Sequence, residues 1–186
     1  MGGIHGARGE PGMRQLLLLR HAKSAWDDPN TPDRARPLNR RGERASAAIG
    51  RAMSELGFAP ELILASPARR SMQTLAALAP LPENVRIETP EALYLADAET
   101  LLGLVRDLPE AVRCVLVIAH NPGMHELAAR IAGRRPGTPD SLRLAQSFPT
   151  AALAEFAVSG NWREVGPQSA KLVRFLLPRD LPELAA

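Results

Sequence analysis

Four short aliphatic or β-branched runs punctuate the chain, at residues 16–19, 62–65, 85–87 and 115–119. Each is long enough for a strand buried on both faces and too short for a core helix. Between them the apolar period lengthens. Over residues 41–56, Ala45, Ile49, Ala52, Met53 and Leu56 recur every three or four positions, opposite a charged face, with Gly57 as the stop. A second helix is expected to open at Ser66 as N-cap with Pro67 at its first position, turn Met72, Leu75 and Ala79 inward, and end before Pro80. A third begins near Asp97 and aligns Leu101, Leu104, Val105 and Leu108. The fourth repeats the cap-plus-proline pattern at Asn121-Pro122, buries Leu127 and Ile131, and stops at Gly133.

Strands alternating with helices predict an α/β fold, a three-layer α/β/α sandwich around a largely parallel sheet. Two further strands, at 151–158 and 171–177, are joined through Asn161-Trp162 and read as a hairpin at one edge. Residues 134–149, rich in proline and polar groups, read as the longest loop. Residues 1–13, glycine-rich and without an apolar period, read as a loose tail preceding one domain over 14–186, with Met13 an alternative start.

With 186 residues, 45% hydrophobic and 23% charged, the composition is that of one globular domain rather than a disordered chain. The run at 16–19 meets Arg20 and His21 at once, so it is neither a signal-peptide core nor a membrane span. Gly6 stands where a myristoylation signal wants Ser or Thr, and a cytoplasmic location is the default expectation. The lone Cys114 has no disulfide partner and reads as a small residue entering a strand. The net charge is +3, and 21 of the 23 cations are Arg, scattered among acids. No nucleic-acid partner is indicated, but arginine grips phosphate with a planar fork, so those beside reactive groups matter.

In open α/β sheets ligands bind beyond the carboxyl ends of the strands. Those positions hold Arg20-His21-Ala22-Lys23-Ser24 after the first run, Ser66 to Thr74 after the second, and His120-Asn121-Pro122-Gly123 after the fourth. A histidine at a strand end is by itself more often structural than catalytic. Here two follow parallel-strand candidates, and both lie beside anion-binding features: Arg20 and a helix N-terminus. His125-Glu126 invites a zinc reading, but position 129 is Ala129 and Cys114 is the single thiol, so neither metal nor cofactor is expected. His5 carries no signal. Trp162 and Phe175 read as core more readily than as interface.

In this order and spacing, Leu-Leu-Leu-Arg20-His21-Ala-Lys-Ser, Arg36-Pro37-Leu38 with Gly42, Ser66-Pro67-x-x-Arg70-x-x-Gln73-Thr74 and His120-Asn121-Pro122 resemble the histidine phosphatase superfamily, with its phosphoglycerate mutase-like fold. Within it they resemble the short SixA-type phosphohistidine phosphatases, over residues 13–178. The resemblance implies His21 as nucleophile, with Arg20, Arg70 and His120 holding the phosphoryl group, no metal, and a covalent phosphohistidine that water hydrolyses. Arg69 and Arg70 diverge by about 100° on a helix, and the spacing from Ser66 selects Arg70. Lys23 and Ser24 either line the phosphate site or belong to a solvated loop. Arg36, Asn39 and Arg40 border the mouth, and Asn121 is a helix cap or a site residue.

Members of the superfamily that cleave alkyl esters carry an acid after the third strand to protonate the leaving alkoxide. Its position here falls on Leu95, and Glu91, Asp97 and Glu99 are the neighbouring carboxylates. Asp97 reads as an N-cap, the other two as solvated charge. Imidazole, unperturbed pKa about 6.5, is a better leaving group that relaxes the need for an acid. No cap domain fits between 87 and 97. The expected substrate is therefore phosphohistidine on a protein in signal transduction. The alternatives are a small phosphoester using Glu91 or Asp97, or a non-catalytic phosphate-binding module. The sequence does not address oligomeric state.

Overall fold

The pleat of the first strand sorts its four leucines between two cores. In the computed structural model, which describes residues 13–133 and 137–184, β1 (Met13–Arg20) sends Leu16 and Leu18 to one face of the sheet and Leu17 and Leu19 to the other. All four are fully buried, each contributing about 1.5–3 kcal/mol of hydrophobic stabilisation. The same split recurs along β2 (Leu62–Ala65) and β4 (Cys114–Ala119). This two-sided burial is why these strands read as unbroken aliphatic runs.

One core is covered by α1 (Arg40–Glu55) and α2 (Arg69–Ala77). The opposite core is covered by α3 (Ala98–Arg106), α4 (Gly123–Ala132) and α5 (Pro139–Gln146). With β3 (Arg86–Glu88), β5 (Leu153–Ser159) and β6 (Ala170–Leu176), the strand order is β3-β2-β4-β1-β5-β6. The first four strands are parallel, and β5 and β6 run antiparallel to their neighbours. The mixed α/β fold is thus a largely parallel sheet between helices, with the expected hairpin at one edge.

Several local expectations are corrected. β3 is exposed along its length, because it is the outer strand at the other edge. Ser66 does not cap α2: the N-cap is Ala68 and the helix starts at Arg69. Asn121 does not cap α4, whose N-cap is Pro122. Both side chains are spent elsewhere, as described below. The expected loop at 134–149 contains α5, started by a capping box of Thr138 and Ser141 with Pro139 at its first turn and anchored by the buried Leu144. The tail expected at 1–13 lies outside the described residues, apart from Met13, which opens β1.

The third helix is capped as expected, Asp97 accepting from the Thr100 N–H at 2.8 Å. Gly57 and Gly133 follow their helices with φ of 70° and 66°, a conformation that glycine alone adopts without strain. Trp162 and Phe175 are buried, Trp162 donating its indole N–H to the Val112 carbonyl at 2.9 Å. Cys114 is buried at the start of β4, and burial, helped by Glu61 and Glu155, pushes its thiol up to about 12. Among the described residues no helix is long and apolar enough to cross a membrane.

Candidate active site

The carboxyl ends of β1, β2 and β4 lie side by side, so the residues that follow them meet at one edge of the sheet. His21, Arg70 and His120 are all buried there, with the His21 and His120 ring centroids 4.9 Å apart. Arg70 joins the two rings, donating from Nε to His21 Nε2 at 3.3 Å and from Nη2 to His120 Nδ1 at 3.2 Å.

These contacts settle the tautomers, because arginine has no lone pair to offer. His21 Nε2 accepts, so its proton is on Nδ1, which donates to the Ala22 carbonyl at 2.8 Å. The bare Nε2 therefore faces the arginine. His120 Nδ1 accepts, so its Nε2 carries the proton and donates to Ser66 Oγ at 2.6 Å. That is where the expected helix cap went.

Burial and the neighbouring cations both oppose a further proton on either ring. Burial pushes His21 down to about 3; the Ala22 contact opposes this, and His120, Arg70 and Arg20 add to it. Burial, Arg70 and Arg20 push His120 down to about 4, against the pull of Asp33. Both imidazoles are neutral at pH 7 in the free site.

Arg20 ends β1, half-buried, its Nη1 donating to the Phe148 carbonyl at 2.9 Å. Asn121 Nδ2 donates to the same carbonyl at 2.9 Å, so this side chain holds the wall of the site instead of capping α4. Burial and Arg70 lower the Arg20 pKa without threatening its charge. Arg20 Nε is buried with no hydrogen-bond partner, as are Nε and Nη1 of Arg36. Such donors suit an oxyanion.

Asp33 is the acidic residue that sequence reading missed. It opens a 3-10 turn at Asp33–Ala35, receives Arg70 Nη1 on its carbonyl at 2.6 Å and Nη2 on Oδ2 at 3.0 Å, and also engages Arg36. Tyr94 donates its hydroxyl to Oδ2 at 2.8 Å and meets the His120 ring edge-on. Burial pushes the Asp33 carboxyl up, but hydrogen bonds from Tyr94, Arg36 and Arg70 outweigh it and hold it at about 2. No periodic pattern marks Asp33; its spacing of three from Arg36 was the one available clue.

The remaining expected residues divide. Arg69 is exposed while Arg70 is 2% exposed, as the helix geometry required. Arg36 is buried under Trp26, its guanidinium 3.5 Å from the ring centroid. Asn39 caps α1 by accepting from Gly42, and Arg40 is exposed. Gln73 accepts from the Leu38 N–H at 2.7 Å, and Thr74 accepts from Ala22 N–H at 3.0 Å, so both motif residues pin the loops around His21. Ser24 is buried in a bridge to Leu38, and Lys23 is exposed and lines a neighbouring cavity. Glu91 pairs with Arg34 at 2.6 Å, and Glu99 pairs with Arg130. His125 Nε2 donates to the Leu144 carbonyl at 2.7 Å. Among the described residues no three His, Cys, Asp or Glu side chains gather into a metal-binding group.

The chain shares 34% identity over 168 residues with the uncharacterized protein Rv1276c of Mycobacterium tuberculosis, covering 87% of this chain and all of that one. The fold superposes on a proposed phosphohistidine phosphatase, SixA, from Nakamurella multipartitia with a TM-score of 0.80 and 25% identity, over 90% of this chain and 98% of the other. For a proposed SixA from Agrobacterium tumefaciens the TM-score is 0.75 and the identity 30%, over 89% and 98%. The family model for the histidine phosphatase superfamily, branch 1, matches residues 16–111. With that match extending over half its length and the paired histidines and arginines gathered at the sheet edge, the chain belongs to the histidine phosphatase superfamily.

Proposed function

We propose that the protein is a phosphatase that forms a covalent phosphohistidine on His21 and removes phosphoryl groups from histidine on a protein substrate. The observation that carries this reading is the bare His21 Nε2, held by its Nδ1–H bond to Ala22 and facing the guanidinium of Arg70. An unprotonated nitrogen beside cationic donors is what in-line attack on phosphorus requires, since the equatorial charge is stabilised by the same groups that position the nucleophile.

Nε2 forms a bond to phosphorus as the substrate's phosphorus–nitrogen bond breaks, and the leaving imidazole takes a proton from solvent. Arg20 and Arg70 hold the equatorial oxygens. A dianion beside His120 favours a proton on its Nδ1, converting it from an acceptor of Arg70 into a donor to phosphate. Water then attacks the phosphorus on His21, and orthophosphate departs as Nε2 regains its lone pair.

The carboxylates support phosphohistidine over an alkyl phosphoester. Glu91 is in its ion pair with Arg34, Asp97 caps α3, and Glu99 is held by Arg130. Asp33, the acid that touches Arg70, is ionised at any pH above about 2 and offers no proton to an alkoxide. A cytoplasmic signalling role belongs to the same proposal.

The test is phosphate release, in chelator, from a phosphohistidine peptide, p-nitrophenyl phosphate and an alkyl phosphate, with His21→Ala as control. Turnover of the phosphohistidine peptide alone, lost in His21→Ala with the fold retained, is the expected result. Comparable turnover of the alkyl ester overturns the substrate assignment, and residual activity in His21→Ala overturns the nucleophile.

A further inference from the structure

Lys23, two residues beyond His21, lines a cavity of about 140 Å³ together with Arg41 and Arg179. Its walls are the segments that frame the nucleophile. Pro149 and Thr150 follow Phe148, whose carbonyl holds Arg20, and Ala151 donates its N–H to the carbonyls of Arg20 and His21. Leu177 closes the far side, directly after β6.

Strand register fixes how far the cavity's far wall lies from the backbone at His21. Leu19 of β1 pairs with Leu153 of β5, which pairs with Leu176 of β6, so the ends of β1 and β6 lie level with the start of β5. Neighbouring strands are about 4.8 Å apart, which puts the far wall roughly 10 Å from His21 along the sheet edge. His120 and Arg70 lie on the other flank of β1. The cavity is thus a lateral extension of the same edge, not a remote pocket.

Its charge lacks an internal answer. Among the described residues Lys23 and Arg41 have no ion-pair partner, and Arg179 has only Asp180 at 3.9 Å, an acid already engaged by Arg143 at 2.7 Å. Three cationic residues lining one concavity repel each other, and a bound anion relieves that cost. By volume the space equals about four or five waters, enough for the end of an acidic side chain.

We propose that this cavity is a second anion subsite, which takes the carboxylate of an Asp or Glu on the same polypeptide that presents its phosphoryl group to His21. The assignment rests on the phosphoprotein reading above and adds a sequence preference to it. An extended chain rises about 3.3 Å per residue and turns alternate side chains to the same face, so a span of roughly 10 Å between two side chains that both face the enzyme corresponds to an acid two or four residues from the phosphohistidine.

The experiment compares pairs of extended phosphohistidine peptides that differ only in Glu or Gln, placed two or four residues from the phosphohistidine on each side in turn. The Glu peptide is expected to show a KM about threefold to tenfold lower at low ionic strength, with kcat little changed and the advantage shrinking in high salt. Arg41→Gln with Arg179→Gln should cut that advantage to what Lys23 alone supplies, while leaving kcat/KM for the Gln peptide as it was. Arg41→Glu should turn the preference toward a Lys peptide. Equal kcat/KM for the Glu and Gln peptides in the unaltered protein, or a preference undiminished by the double substitution, overturns the subsite alone. Failure to hydrolyse either peptide removes the phosphohistidine function and the subsite with it.

Discussion

Gly42 sits in the first turn of α1, where helix propensity and packing give opposite answers to the same substitution. Propensity favours alanine over glycine in a helix by up to about 1 kcal/mol. The structure puts a new Cβ onto the Lys23 carbonyl oxygen, with the Lys23 amide nitrogen at 3.0 Å and the carbonyl carbon at 3.1 Å. These are backbone atoms, so no side chain can swing aside, and Lys23 is further pinned by accepting the Asn39 N–H at 3.0 Å. Overpacking of this kind costs about 1–3 kcal/mol, and the rigid partner argues for the upper end. Subtracting the propensity gain leaves Gly42→Ala destabilised by about 2 kcal/mol. For a chain of this size that lowers Tm by about 4–8 °C. The loop that must move carries His21, and a shift near 1 Å at a reacting group costs about 100-fold in turnover. Gly103, inside α3, is the internal control: nothing lies within 4 Å of its new Cβ, so Gly103→Ala should gain up to about 1 kcal/mol. Thermal unfolding and phosphate release measured on both variants decide the matter. A Gly42→Ala protein as stable and as active as the parent would refute the packing argument.

Three other substitutions or titrations test the site. Ser66→Ala strands the buried His120 Nε2–H; we expect a loss of about 1–3 kcal/mol in urea unfolding together with reduced turnover, and an unchanged midpoint would remove Ser66 as the partner that sets the tautomer. Asp33→Asn removes the carboxylate that competes with an oxyanion for Arg70, so the inhibition constant of orthophosphate should fall by about threefold to tenfold; weaker inhibition would mean that Asp33 instead holds Arg70 in its working pose. The histidines give a pH signature. Their folded pKa values, about 3 and about 4, lie below the unfolded 6.5, so protons bind the unfolded chain first. Stability should be complete above pH 6.5 and fall progressively between 6.5 and 3–4. Asp33, depressed to about 2, adds a further loss between about 4 and 2. Proton NMR should show the His21 and His120 rings neutral at pH 5, and midpoints near 6.5 would contradict the burial argument.

Strands buried on both faces were legible because nothing but aliphatic side chains survives there, which is why residues 62–65 and the core of 115–119 were placed within a residue. β3 was legible as a strand but not as an edge, since three residues carry no record of which neighbour covers them. Ser66 reads as a cap, and Asn121 as a cap or a site residue, because a side chain that ends a helix and one that orients an imidazole or braces a carbonyl have the same chemistry; only the third dimension separates the uses. His21, Arg20 and His120 stand out by their place after strand ends, and Arg70 by its spacing from Ser66 in the motif that carries the family resemblance. Asp33 does not, because it reaches Arg70 from a loop whose course no periodicity describes.

The position of β1 in the sheet also bears on how the protein is made. Leu16 pairs with Val115 on one side and Phe156 on the other, so the earliest strand to be synthesised waits roughly a hundred residues for its first partner and about forty more for its second. At ribosomal rates of about 5–20 residues per second that is several seconds to nearly half a minute with four adjacent leucines and both hydrogen-bonding edges open. Over that interval the nascent chain carries an aliphatic segment whose partners in the sheet are not yet made. The wall of the site is completed late, when Ala151 emerges to bond the carbonyls of Arg20 and His21, long after His21 itself is translated.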